Sequence, residues 1–338
     1  MNLVRAELER LAARRFVQLM LVLLVAAFGI TAATTLANSH RPTVAEVSDA
    51  QRQAADARRD LELTYERCLT RERGALPTEE VDQYYPANCS EIDPGRMERL
   101  PVAADFLYGV FTFAQEARPL LYFLIAFLVL FGFLVGASYI GADLNSGGVV
   151  NLLLWRPARL AVLGAKLGTL LGTVAVLALV ASAAYLGTFW LIAQAAGQPG
   201  VLDDEFWRSL GVIWGRGMLL VLLSSAIGFA IATLGRHTSA ALGAVAAYAV
   251  LWELGARLVL TILDARRPDQ LMLSSYLQAW LTGRATFWDS RACPDGGIGW
   301  VCDPSYVMTW RPGLVVLLVV TLALTGAAFA VFRRRDLV

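Results

Sequence analysis

Apolar residues run along this chain in six long blocks separated by polar stretches. The blocks are Phe16 to Ala37, Pro119 to Ile140, Leu160 to Leu191, Leu210 to Leu234, Ser239 to Ile262 and Pro312 to Phe332. A spanning helix needs roughly 20 mostly apolar residues to cross a hydrocarbon core of ~30 Å, so each block predicts a transmembrane helix. The third block is long enough to tilt or to run past the core. Between blocks the pattern changes. Val44, Val47, Ala54, Leu61, Tyr65 and Leu69 recur among charges at helical spacing and predict one long amphipathic helix ending near Cys68. Pro77, Pro86, Pro94 and Pro101 then break the chain. Phe106, Tyr108, Phe111 and Phe113 are expected at the membrane interface, where aromatic rings partition well. Leu271, Leu273, Tyr276, Leu277, Trp280 and Leu281 form a stripe too short to span, which reads as a re-entrant or interfacial helix. Trp288, Trp300 and Trp310 extend an aromatic belt beside it.

The short flanks orient the spans, because arginine and lysine favour the cytoplasmic side. Arg5, Arg10, Arg14 and Arg15 precede the first span, and Arg156, Arg159 and Lys166 lie between the second and third. Arg236 with His237 joins the fourth to the fifth, and Arg333, Arg334 and Arg335 follow the sixth. With six spans all four groups fall on one side, so both termini are expected to be cytoplasmic. The first block is too long for a signal peptide, and Glu7 and Glu9 precede it, so it is read as a retained anchor.

Composition strengthens the membrane reading and removes others. Hydrophobic residues make up 57%, charged residues 17%, and mean hydropathy is +0.54, whereas a soluble domain carries about a quarter charged residues. Net charge is +1, which gives no electrostatic case for nucleic acid. The sequence has no HExxH, no GxSxG and no GxxxxGK[ST], so metalloprotease, nucleophile-elbow and phosphate-loop chemistries are excluded. Any ATPase that drives this chain is another polypeptide.

The four cysteines agree with the topology. Cys68 and Cys89 follow the first span, and Cys293 and Cys302 follow the fifth, all on the non-cytoplasmic side where disulfides persist. Three connectivities are open to four cysteines, and short-range closure favours Cys68–Cys89 and Cys293–Cys302. Neither pair has CxxC spacing, so no metal site is expected. The expected organisation is therefore a cytoplasmic amphipathic segment with the first span (1–37), a disulfide-stapled extracellular loop region (38–118), and spans two to five (119–263). An extracellular re-entrant or interfacial loop (264–311) and the sixth span with a basic tail (312–338) complete it. For the first outer loop a ligand- or partner-binding cap and a simple packing lid are both open.

Within the spans, Glu253 and Arg257 stand at i, i+4 and can pair; a functional pair and a structural strut are equal readings. Lys166, the only lysine, lies about two turns inside the third span and can snorkel to the headgroups. Gly164, Gly168 and Gly172 share one face and predict close helix packing there.

The stretch that carries most is Gly141 to Lys166. Asn145 or Ser146 can cap a short helix. Val149, Val150, Leu152, Leu153, Leu154 and Trp155 give that helix a membrane-seeking side, and Pro157 ends it. Here the chain resembles the permease subunits of ABC-2 type ATP-binding cassette transporters. Their second-to-third loop carries an acidic residue, Gly-Thr, a leucine run, Pro-x-Arg and Gly-Lys. The corresponding residues are Asp143, Gly147-Gly148, Leu152-Leu153-Leu154, Pro157-Ala158-Arg159 and Gly164-Ala165-Lys166. Aspartate replaces the usual glutamate, Gly148 replaces the threonine, and Ala165 is an insertion. The ending Phe332-Arg-Arg-Arg-Asp-Leu337 is also similar.

The resemblance implies a cytoplasmic coupling helix over about 143–159 that docks on a separate ABC ATPase through Asp143, Gly147, Trp155, Arg156, Pro157, Arg159 and Lys166. It implies no catalytic residue and no cofactor in this chain, with ATP and Mg bound on the partner. It also implies a second permease copy, homo- or heterodimeric, and a path between copies lined by spans one, two and five. Outward movement of a hydrophobic or amphipathic substrate through a bacterial plasma membrane follows from the same resemblance. A membrane sensor or assembly protein whose outer loops bind a partner is the alternative.

Overall fold

The computed structural model describes residues 3–73, 89–97, 99–146, 158–263, 265–289 and 305–334. Helix α1 (Leu3–Ala12) is followed by α2 (Arg15–Ala37), α3 (Val44–Glu72), α4 (Phe113–Asn145), α5 (Arg159–Ala196) and α6 (Asp204–Gly235). Helix α7 (Thr238–Ile262), α8 (Leu273–Thr282) and α9 (Trp310–Arg334) complete the helices. Among the described residues, α2, α4, α5, α6, α7 and α9 are the six helices long and apolar enough to cross a membrane. They coincide with the six apolar blocks of the sequence, and several run one or two turns past them.

Helices α4 and α6 form the centre of the bundle. They can approach closely because each carries glycine at the crossing. A Cβ at Gly132 or Gly136 would strike Ser225, and one at Gly228 would strike the Phe133 carbonyl. Small residues at a helix contact let dispersion and backbone packing replace the missing hydrophobic drive in lipid. Ser224 Oγ donates to the Val129 carbonyl at 3.0 Å across the same contact. The expected glycine face on α5 behaves differently. Gly164 has only the Phe329 ring near it at 4.0 Å, and Gly168 and Gly172 have nothing within 4 Å. The tight contact therefore lies at α4–α6, and the α5 face is open.

At one end of the bundle the chain is tied by short loops and aromatic rings. Strand β1 (Phe111–Thr112) pairs in parallel with β2 (Gly197–Gln198). Ser39 Oγ donates to the Ala196 carbonyl, and Arg41 donates to the carbonyls of Gln194 and Ala195. Phe111 and Phe113 are buried against Phe189 and Phe206, so both rings face neighbouring helices. Tyr108 alone of that set is well exposed. Helix α3 begins in a capping box of Thr43 and Glu46 and is pinned near its end by the Cys68–Cys89 disulfide. Cys293, Cys302 and Trp300 lie outside the described residues.

The stripe after α7 becomes a short 3₁₀ turn (Pro268–Leu271) and α8, which packs on α6 and α9. An antiparallel hairpin follows, β3 (Arg284–Trp288) with β4 (Ser305–Thr309), which the hydrophobic pattern does not announce. Arg216, inside α6, sits 5.7 Å from the Trp280 ring and 5.8 Å from the Trp310 ring. A cation beside two indole rings is stabilised by their π-electrons, which helps hold this arginine inside a span.

Candidate functional site

At the opposite end of the bundle four charged side chains and a tyrosine converge. Glu7 comes from α1 and Arg14 from the elbow between α1 and α2. Tyr139 and Asp143 come from the last turns of α4, and Lys166 from the second turn of α5. Helical geometry places Tyr139 and Asp143, four residues apart, on one face. Lys166 Nζ donates to Glu7 Oε2 at 2.7 Å and to Asp143 Oδ2 at 2.7 Å. The Tyr139 hydroxyl donates to Glu7 Oε2 at 2.5 Å. Arg14 donates to Asp143 Oδ1 and, at 2.8 Å, to the Ser138 carbonyl. The Tyr139 ring lies 5.0 Å from Lys166 Nζ and 5.2 Å from the Arg14 guanidinium carbon.

Burial makes these contacts consequential. The Glu7 and Lys166 side chains are 1% and 2% exposed; Asp143 and Arg14 are 15% and 18% exposed. The buried members balance, Glu7 and Asp143 against Lys166 and Arg14, and the mostly exposed Arg10 adds a third cation 3.5 Å from Glu7 Oε1. A buried charge without its partner is costly: removing one member of a buried pair commonly destabilises by about 3–5 kcal/mol. Lysine suits the centre because its ammonium is compact and carries three donors. Lys166 therefore does not snorkel to headgroups; two carboxylates hold it inside.

The location gives the cluster its meaning. Asp143 is the root from which α4 enters residues 147–157, and Lys166 stands just after the chain returns into α5. Their contact ties the two ends of that segment together, and Glu7 joins both to α1. The base of α7 sits alongside, since a Cβ at Gly141 would lie 2.6 Å from the Thr238 nitrogen. Gly147, Trp155, Arg156 and Pro157 lie outside the described residues. Asn145 ends α4, and Ser146 is its C-terminal cap, with its N–H bonded to the Ala142 carbonyl at 3.0 Å. Arg159 opens α5.

The Glu253–Arg257 pairing expected from the sequence does not form. Residues Tyr248–Ala256 of α7 are wound as a π-helix, where i and i+5, not i+4, share a face. Accordingly Glu253 accepts from the Tyr248 hydroxyl at 2.8 Å, and from the Ser274 nitrogen at 3.0 Å and hydroxyl at 2.7 Å. Arg257 turns to Asp269 at 3.1 Å. These contacts fasten the far end of α7 to the start of α8.

Sequence reasoning missed Glu7, Arg14 and Tyr139 as site members. The available signal was Glu7 itself, a carboxylate between Leu3 and Leu11 on what is otherwise the apolar face of α1.

No curated protein and no solved structure matches the chain. Residues 1–337 match the family described as ABC-2 family transporter protein. The six spans and that match over essentially the whole sequence have one reading: the chain belongs to the ABC-2 family of transporter proteins, as a transmembrane permease subunit.

Proposed function

We propose that this permease is the membrane half of an exporter of hydrophobic or amphipathic molecules, driven by a separate ABC ATPase that docks on residues 143–159. The observation that carries the reading is the Lys166 clasp. A soluble engine can move membrane helices only if the segment it pushes is rigidly joined to them. Lys166, Asp143 and Glu7 join the roots of that segment to α1, the α1–α2 elbow, α4 and α5 in one buried contact. ATP and Mg belong to the partner. Asp143 and Lys166 hold the lever, and Gly147, Trp155, Arg156, Pro157 and Arg159 supply its docking surface.

In this reading both termini and the lever face the cytoplasm of a bacterial plasma membrane, and α3 with its disulfide lies outside. A second permease copy completes the transporter. Helix α7 supports that assembly, because within this chain only Ala241 of its residues is buried.

Charge reversal of Arg156 and Arg159 together tests the docking. The variant is expected to insert and fold as wild type, since it leaves the buried clasp intact, yet to lose the ATPase on co-purification. A variant that keeps the ATPase at wild-type stoichiometry would refute the docking assignment. Orientation is checked separately: an impermeant thiol reagent on intact cells should label a cysteine placed at Ser48 and not one at Ser146.

A further inference from the structure

At the end of the bundle opposite the clasp, arginines commonly meet aspartates: Arg99 meets Asp105, Arg257 meets Asp269 and Arg267 meets Asp289. Arg216 does not. Among the described residues its guanidinium has no carboxylate and no hydrogen-bond acceptor, only the indoles of Trp280 and Trp310 beside it. None of its nitrogens is buried, so the cation is open to its surroundings.

Those surroundings add positive charge. Arg311 of α9 stands 5.7 Å from the Trp310 ring and Arg216 stands 5.8 Å from it, so one indole carries both guanidiniums. Arg118 of α4 and Arg216 both act electrostatically on the Tyr122 hydroxyl, which has no hydrogen-bond partner among the described residues. The acids at this end of α4 and α6 do not answer these cations. Glu116 lies two residues from Arg118, and i, i+2 residues of a helix do not face each other. Asp203, Asp204 and Glu205 open α6, roughly 16 Å of helix rise from Arg216. The C-terminus of α8 compensates only in part. Gly283, which follows it, lies so near that a Cβ there would stand 2.8 Å from an Arg216 nitrogen. A helix end supplies about half an elementary charge, too little for three arginines.

Depth identifies the missing partner. Arg216 lies about 9 Å of helix rise beyond Leu210, where the apolar block begins. An arginine side chain recovers most of that distance toward the interface, and Trp310 at the start of α9 marks the level of the headgroups. Below the cation, Leu220 and Leu317 pack with Val129 of α4 and close the site from the core. The anion that permanently occupies headgroup level is a lipid phosphate, which arginine binds through two parallel hydrogen bonds. Three arginines without an acid favour a lipid of net negative charge over a zwitterionic one.

We propose that Arg216, with Arg118, Arg311 and the Tyr122 hydroxyl, forms a binding site for the phosphate of an anionic lipid in the leaflet at this end. Arg216 holds the phosphate oxygens, and the two indoles and Gly283 fix its guanidinium in place. The site needs neither the ATPase nor a transported molecule, so it and the docking surface proposed above stand or fail separately.

The test is native mass spectrometry of the full chain in detergent. It is titrated with phosphatidylglycerol, with phosphatidylcholine of the same acyl chains, and with inorganic phosphate. One phosphatidylglycerol is expected to bind well above the phosphatidylcholine background, and millimolar inorganic phosphate should not displace it. A phosphatidylglycerol with a diazirine in its headgroup should label peptides that contain Arg216, Gly283 or Trp310. Arg216→Gln should weaken binding at least about tenfold, the range for hydrogen bonds to a charged group, and Arg216→Lys should restore part of the loss. Arg118→Gln with Arg311→Gln changes only exposed side chains and should weaken binding about two- to fivefold, which decides the matter if Arg216→Gln fails to fold. Phosphatidylglycerol binding left unchanged in the variants that fold, or matched by phosphatidylcholine, would overturn the proposal. Displacement by inorganic phosphate would assign the site to a free anion and overturn the lipid assignment.

Discussion

The two ends of this bundle are held by opposite chemistry. At the charged end, Glu7, Asp143, Arg14 and Lys166 close around Tyr139 in one buried, neutral network. At the other end, Phe28, Tyr185, Phe189 and Phe111 pack ring against ring in tilted and edge-on contacts, Arg216 lies beside the Trp280–Trp310 pair, and a disulfide pins α3. The aromatic end gains from many small contacts, and no single one decides it. The charged end is all or nothing, because each ion is stable inside only while its partner remains. A lever root needs the second kind of joint, which holds its helices as one body until a partner is pulled away. A cap over the opposite end needs the first kind.

That contrast sets the order of expected effects. Lys166→Ala leaves Glu7 and Asp143 facing each other without their shared cation and should cost about 3–5 kcal/mol. It should appear as a large loss of folded protein by size-exclusion chromatography in detergent. Lys166→Met combined with Glu7→Gln, Asp143→Asn and Arg14→Gln removes two charges of each sign and should recover most of that fold, as neutral replacements of buried ion clusters do. Failure of the quadruple variant to improve on Lys166→Ala would mean that charge balance is not what holds this end.

At the aromatic end the effects are smaller and local. Cys68→Ser should cost the α3 region roughly 2–4 kcal/mol, the usual worth of a loop-closing disulfide, read as faster proteolysis of 38–118 with the spans intact. Global unfolding instead would make α3 part of the bundle's own stability. Thr43→Ala, which removes the α3 capping box, should cost about 1 kcal/mol. The same cap gives a pH signature. The Thr43 backbone N–H, its hydroxyl and then His40 hold the Glu46 carboxyl below its ordinary range. A depressed carboxylate stabilises the folded state above its ordinary value, and that contribution disappears as pH falls through the lowered one. Once corrected for the intrinsic slowing of exchange in acid, the protection of amides at the start of α3 should therefore fall on acidification, and Thr43→Ala should flatten that response.

Much of this was legible in the sequence, and the reasons are physical. A span announces itself by about 20 apolar residues regardless of its neighbours, so α2, α4, α5, α6, α7 and α9 could be read from composition alone. The period of Val44 to Leu69 gave α3, and loop proximity gave Cys68–Cys89. The cluster was only half legible. Asp143 and Lys166 lie in a local motif, but Glu7 reaches Lys166 across more than half the preceding chain, and no local pattern reports that. Glu253 and Arg257 misled because i, i+4 pairing assumes an α-helix, and Tyr248–Ala256 is π-wound. The α5 glycines stand differently: spacing shows that a close approach is allowed, and within this chain no helix makes it at Gly168 or Gly172.

The central claim is that the clasp carries motion from the 143–159 segment into the spans. Spin labels at Ala13, in the α1–α2 elbow, and at Ser239, at the base of α7, report that motion without knowledge of the substrate. In the complex with its ATPase, the distance between them should change on ATP binding. In the charge-neutral quadruple variant, with the ATPase still bound, the distance should stay fixed. An equal ATP-dependent change in the quadruple variant, or none in the wild-type complex, would contradict the account.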